Sequence, residues 1–303
     1  MRVKIPDLLI TTRKGAFVVL DGKHLELVAE QPKDFFYYGA TFDSSYFYLA
    51  DHDATDKKRQ STIHVFDKDF RKVNYIPTPC VKVHQILKLQ NDLYKTDTGH
   101  DRIVIFRQGA LKGDHFIEID YLNTSADTRH INSIFVDTLP RLFICEHGRG
   151  DSVIRSYHLQ EREKLYIPVG KEAHNVAWYK AERGLLMTNS SRAKSVLVFR
   201  LDETFYKHTQ LNGFTRGLAI TNDLIIVGTT VYRDDRKWSA PTDDHVAGIN
   251  FLYRELNWIE KRYLPAIDNI HEIRALNEID YAHKPQIGET DWSRIASGKL
   301  KAS

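Results

Sequence analysis

The chain has 303 residues, and its 43 Lys and Arg nearly balance 40 Asp and Glu with both signs mixed along its length, so nothing asks for nucleic acid or an anionic membrane surface. Its 42% hydrophobic content excludes general disorder, and two cysteines, Cys80 and Cys145, outside any CxxC or CxxxH setting exclude a disulfide framework and a cysteine zinc site. The opening MRVKIPDLLITTRKG lacks the apolar stretch of a signal peptide and no 18-residue apolar run follows, so the expected location is the cytoplasm.

Taken in chain order, residues 8–12, 15–20 and 24–28 are short apolar runs separated by turn residues, which reads as three strands. Five segments with a common layout follow. Each opens on a short motif, often with His, passes through an apolar strand and a second strand rich in Leu, Ile and Phe, and then turns into a third strand. The openings are Tyr38, His84, His130, His174 and Arg216, so successive starts lie 46, 46, 44 and 42 residues apart. That period is the length of one four-stranded propeller blade. A sixth opening comes at His271, 55 residues beyond Arg216. The extra length matches the polar insertion at residues 234–241, expected as a projecting loop, with Asp243, Asp244 and His245 beside it as solvated loop or lid.

After the sixth first strand little strand-like sequence remains, and the strands it lacks are those at residues 8–28. The expected fold is all-β: a six-bladed β-propeller closed by pairing of the N-terminal strands with the C-terminal strand near residues 271–276, which leaves no open blade edge. A β-sandwich or two small β domains is the alternative. Even spacing and complementary partial repeats at the two ends argue against both. Residues 1–279 form the propeller in this reading and residues 280–303 a surface tail pinned by Trp292.

The first strand of each blade lines the central channel, so equivalent positions converge near the axis. That position holds His84, His130, His174 and His271, with Arg216 in a fifth repeat and Tyr38, or its neighbour Tyr37, in the remaining one. Neutral imidazole is a general metal ligand, so four of them at one mouth predict a site for a divalent ion such as zinc, iron or manganese. Gln85, Asn132, Asn175 and Glu272, which follow the His positions, are expected to orient the imidazoles or meet a substrate. The competing reading is packing, because a repeat can keep His where the ring bonds a neighbouring blade. Phe35, Phe36, Tyr37 and Tyr38 read as a stacking wall or as blade core. His52-Asp53, Gly99-His100-Asp101 and the run from Glu146 to Asp151 read as turns between second and third strands. No phosphate loop, GxSxG or HExxH motif is present.

Two resemblances rest on these residues. Gly213-Phe214-Thr215-Arg216-Gly217-Leu218-Ala219, then Val227-Gly228-Thr229-Thr230 and His271-Glu272-Ile273-Arg274, are similar to the F-x-R-G-L-A and V-G-x-S motifs of a family of uncharacterised bacterial propeller proteins. That similarity covers the last third of the chain and implies no activity. The repeats as a whole, above all the T-D-T-G-x-D-R-I-V-I-F pattern ending at Phe106, resemble six-bladed NHL-type propellers. Among these, the peptidyl-α-hydroxyglycine α-amidating lyases and the streptogramin lyases use channel histidines with a metal. The resemblance implies His84, His130, His174 and His271 as ligands and Arg216 as an anchor for a substrate oxyanion; the disulfides of the secreted lyase are lacking here.

Three functions compete. The first is a metal-assisted lyase or hydrolase of a sugar-like or modified-peptide substrate, with Arg216 neutralising developing negative charge and Glu272 or Tyr38 moving protons. The second is a non-catalytic module whose channel mouth binds a small molecule, glycan, peptide or protein partner. The third is a scaffold in which the His ring is packing only. Metal content separates the first from the others.

Overall fold

In the computed structural model the described residues are 3–31, 35–53, 56, 58–107, 116–119, 127–137, 141–148, 151–158, 165–230, 247–265, 267 and 269–283. They form six four-stranded antiparallel sheets, the blades of a six-bladed β-propeller. Blades 1 to 5 occupy residues 35–81, 86–119, 131–168, 173–210 and 214–263, each a meander running outward from the channel. Blade 6 is composite. Its inner strand is Ile270–Ala275, and the N-terminal strands Leu8–Thr12, Gly15–Leu20 and His24–Glu30 complete it in that order. Leu8 faces Ala275, Ile10 faces Ile273 and Thr11 faces Glu272. Just outside this ladder, the Leu276 amide donates to the Asp7 carbonyl and the Asp7 amide to Asn277 Oδ1, both at 2.9 Å.

The sequence folds this way because inner and second strands lie between neighbouring blades and need apolar side chains on both faces. Leu224–Thr230 and Leu185–Ser190 are buried at every position. The outer strands His24–Glu30, Phe205–Gln210 and Trp258–Tyr263 are largely open to solvent, and their charged residues guard the blade edges.

Irregular pairing marks the channel end of the inner strands. Register shifts fall between Tyr37 and Ala40, Ile131 and Ser133, His174 and Val176, and Arg216 and Leu218; in blade 6 the shift skips His271. A bulge re-aims a side chain, and these bulges sit at the positions the repeat singles out. Two glycines there allow close backbone approach. A Cβ on Gly39 would meet the backbone of Gln85 and Ile86, and one on Gly217, whose φ is +71°, would meet that of Glu272 and Ile273.

Asp280 to His283, at the start of the expected tail, join blades 5 and 6: buried Asp280 accepts hydrogen bonds from the amides of Ile220 at 3.0 Å and Ala275 at 3.1 Å. The rest of that segment, with Trp292, lies outside the described residues, as do residues 234–241, Asp243, Asp244 and His245. Cys80 and Cys145 are buried free thiols. Among the described residues no helix is long and apolar enough to cross a membrane.

Candidate functional site

The repeat positions meet at one mouth of the channel as a closed circuit of rings. Tyr38 stacks on His271 with centroids 4.0 Å apart and stands edge-on to His84 at 4.8 Å and His52 at 5.1 Å. His84 meets His130 at 4.8 Å, His130 meets His147 at 4.2 Å, and His147 meets His174 at 5.4 Å. Phe214 lies 6.0 Å from His174 and 5.5 Å from the Arg216 guanidinium, which donates to His271 Nδ1 at 3.3 Å and so returns the circuit to Tyr38. Phe36 packs against His271 at 6.4 Å, whereas Tyr37 is buried in the blade core, edge-on to His64. All four predicted imidazoles, Arg216 and Tyr38 are thus brought together.

The hydrogen bonds determine which nitrogen each ring turns to the channel. His84 Nδ1 lies 2.9 Å from the Lys82 carbonyl and 2.9 Å from Thr98 Oγ1, and that hydroxyl donates to the Ile131 carbonyl of the next blade. His174 repeats the device: Nδ1 contacts the Glu172 carbonyl at 2.9 Å and Ser191 Oγ at 2.8 Å, with Ser191 donating to the Thr215 carbonyl at 2.6 Å. A carbonyl only accepts and each hydroxyl hydrogen is already committed, so Nδ1 carries the proton and Nε2 a lone pair. The His174 Nε2 is buried with no hydrogen-bond partner. His130 Nδ1 is held at 3.0 Å by Asp127 Oδ1, whose other oxygen takes the Lys82 ammonium at 2.6 Å. Burial raises the Asp127 carboxyl, but the His130 bond and Lys82 outweigh it and hold it at about 2. His271 has the opposite tautomer, because a guanidinium can only donate to its Nδ1.

Burial, reinforced by neighbouring cationic groups, disfavours the charged form of His52, His84, His147 and His174. His84 and His174 are held well below the ordinary imidazole range, first by burial and then by His130 and Arg216 respectively. Burial followed by Lys82 brings His52 down to about 4, and burial followed by His130 brings His147 to about 3. His130 is carried on a backbone with φ of 52°, fixed by Asp101 of blade 2, which accepts the amides of Thr128 and His130 at 2.7 and 3.0 Å.

Gln85, Asn132, Asn175 and Glu272 occupy a deeper layer, where they bond one another and the backbone; the expectation that they orient the imidazoles is replaced by the carbonyl, hydroxyl and carboxylate partners above. Gln85 donates to Glu272 at 3.0 Å and accepts the Ile134 amide at 2.6 Å; Asn175 donates to Glu272 at 3.3 Å; Asn132 donates to the Ala173 carbonyl at 2.7 Å. Glu272, 2% exposed, also pairs with Arg274, 1% exposed, at 3.3 Å. Arg274 reaches the Ala40 carbonyl of blade 1 at 2.6 Å and the Ile86 carbonyl of blade 2 at 3.2 Å.

His52 and His147 join the circuit although the sequence reading placed them in turns. His52 sits near the end of the strand Phe47–Asp53, and His147 immediately follows Arg141–Glu146. Their common signal was a His just past the apolar core of a second strand, which a turn reading absorbed. His100, in the third such segment, bonds Asp97.

No protein-family model matches the chain, and no curated protein matches it in sequence. Solved structures match by fold. A chain from a nidogen/laminin complex is similar at TM-score 0.67 and 12% identity, covering 91% of this chain and 100% of that one. A luciferin-regenerating enzyme is similar at TM-score 0.56 and 12% identity over 76% of both chains. A streptogramin B lyase matches at TM-score 0.49 and 14% identity over 75% of this chain and 83% of that one, too distant to carry an argument. At such identities the likeness shows the fold alone, and that fold serves both an enzyme and a component of a binding complex.

Proposed function

We propose that the imidazole-lined mouth takes up a divalent metal ion through Nε2 of His84, His130 and His174 and serves a metal-assisted lyase or hydrolase acting on a sugar-like or modified-peptide substrate. The observation that carries this reading is the common way the three rings are held: each has Nδ1 tied to an oxygen, the arrangement that aims and enriches Nε2 in metal-binding histidines. Among the described residues no three His, Cys, Asp or Glu side chains already surround one point. Uptake would need these rings to turn toward one point, and His147, between His130 and His174, is placed to join them. When bound, the ion would polarise a carbonyl or acidify a water.

The chain's own groups divide the remaining work. Arg216 faces the circuit and holds an oxyanion. Its bond to Nδ1 leaves His271 with an Nε2–H, so His271 is a hydrogen-bond donor in this reading, not a fourth ligand. Tyr38, stacked on His271, is the remaining candidate proton carrier, since Glu272 is saturated by Gln85, Asn175 and Arg274. Buried free thiols at Cys80 and Cys145 suit a reducing compartment such as the cytoplasm.

The test is metal analysis of untagged protein purified without chelator or chelating resin. The reading expects about one divalent ion per chain, lost in the double variant His84→Ala/His174→Ala while the propeller still melts cooperatively. Folded wild-type protein that neither contains nor takes up metal overturns it and leaves the binding-module reading.

A further inference from the structure

The opposite face of the propeller carries a cavity that none of this chemistry uses. It has a volume of about 230 Å³ and lies off the axis, where the inner strands of blades 3 and 4, two turns of blade 5 and Tyr281 meet. That is room for on the order of seven or eight waters, less than a drug-sized pocket and enough for a single-ring ligand. Its walls are fixed. The Trp178 indole N–H donates to Asp137 Oδ1 at 2.6 Å, and the indole stands edge-on to Phe143 at 5.2 Å. The Tyr281 hydroxyl donates to Asn222 Oδ1 at 2.8 Å.

Two cations, Lys180 and Arg254, line this cavity against one carboxylate, Glu182. The Arg254 NH2 donates to the Tyr179 carbonyl at 2.8 Å, while NH1 is buried with no hydrogen-bond partner. Keeping guanidinium N–H groups from both water and acceptors costs stability, and a bidentate oxyanion is the group that matches them best. Flat aromatic walls favour a flat ring.

We propose that this cavity is a second binding site, for a small planar anion of aromatic-carboxylate type, with Arg254 and Lys180 receiving the carboxylate and Trp178 and Tyr281 flanking the ring. It stands apart from the metal reading, because this cavity shares no residue with the channel mouth.

Benzoate and its uncharged counterpart benzamide test the idea on the full-length wild-type chain by titration calorimetry. Benzoate should bind at least about tenfold more tightly, the difference expected of one charge-assisted hydrogen bond. In an amide-correlated NMR spectrum the Trp178 indole resonance, assigned with Trp178→Phe, should move with benzoate. Arg254→Gln should erase the preference for benzoate over benzamide; if that variant fails to fold, Lys180→Gln on the same wall should reduce it severalfold. Equal affinity for the two compounds, no binding at millimolar concentration, or shifts that spare Trp178 would overturn the proposal.

Discussion

Two polar layers share the channel, and they are made from adjacent residues: His84 beside Gln85, His174 beside Asn175, His271 beside Glu272. The deeper layer is bonded inward around Glu272, with Asn132 Oδ1 and Arg274 NH1 left without hydrogen-bond partners. Glu272 takes hydrogen bonds from Gln85 and Asn175 and pairs with Arg274, and the same residues reach carbonyls and amides of blades 1, 2 and 3. The mouth layer is anchored on one side only: each of three imidazoles spends Nδ1 on the scaffold and keeps Nε2 in reserve. Buried polar groups that pair with one another hold a structure together, whereas lone pairs left over at an opening are available to a ligand.

The harshest way to break this comparison is to remove what both layers depend on. Deleting residues 1–30 takes three strands from blade 6 and leaves Ile270–Ala275 without a partner. The truncated chain should be insoluble or lose cooperative unfolding in a thermal scan. An unchanged melting transition would remove the closure from the argument.

Substitution then separates the layers. Glu272→Ala leaves Arg274 charged and buried without its carboxylate, a loss of about 3–5 kcal/mol in urea unfolding. His84→Ala at the mouth should cost less than about 1.5 kcal/mol and act on ligand uptake instead. Equal losses at the two positions would erase the distinction.

Acid sharpens it further. A ring kept neutral in the folded chain gains a proton on unfolding once the pH drops below about 6.5, so stability is full above that value and declines beneath it. The decline continues to about pH 4 for His52 and about pH 3 for His147. Each ring contributes up to about 1.4 kcal/mol per pH unit. His147→Ala should lower proton uptake on unfolding at pH 5 by about one, measured from the pH dependence of urea midpoints.

The mildest probe is Thr98→Val, which removes the hydroxyl from His84 Nδ1 while leaving the Lys82 carbonyl in place. Metal affinity should fall about 10- to 100-fold with little change in melting. Unaltered affinity would mean that the hydroxyl serves only the link between blades.

The fold was legible because blade period, apolar runs and turn residues are local signals, and because the incomplete repeats at the two ends complement each other. The membership of the site was legible in part, through equivalent positions around an axis. Its layering was not. Gln85 follows His84 by one residue but Asn132 follows His130 by two, and the bulges with left-handed backbone at His130 and Asn175 decide which side chain faces where. Tautomers were hidden too, since the hydroxyls that set them, Thr98 and Ser191, lie 14 and 17 residues from their imidazoles and are brought close only by the blade.

The central claim is that the mouth layer keeps lone pairs for a metal while Glu272 in the deeper layer is spent on Gln85, Asn175 and Arg274. Anomalous diffraction from crystals of untagged protein grown with zinc or manganese tests it most directly. The account predicts a peak at the channel mouth about 2.0–2.2 Å from Nε2 of His84, His130 and His174, with Gln85, Asn175 and Glu272 still bonded to one another. A mouth without a peak, or a peak bound by the deeper layer, would contradict it.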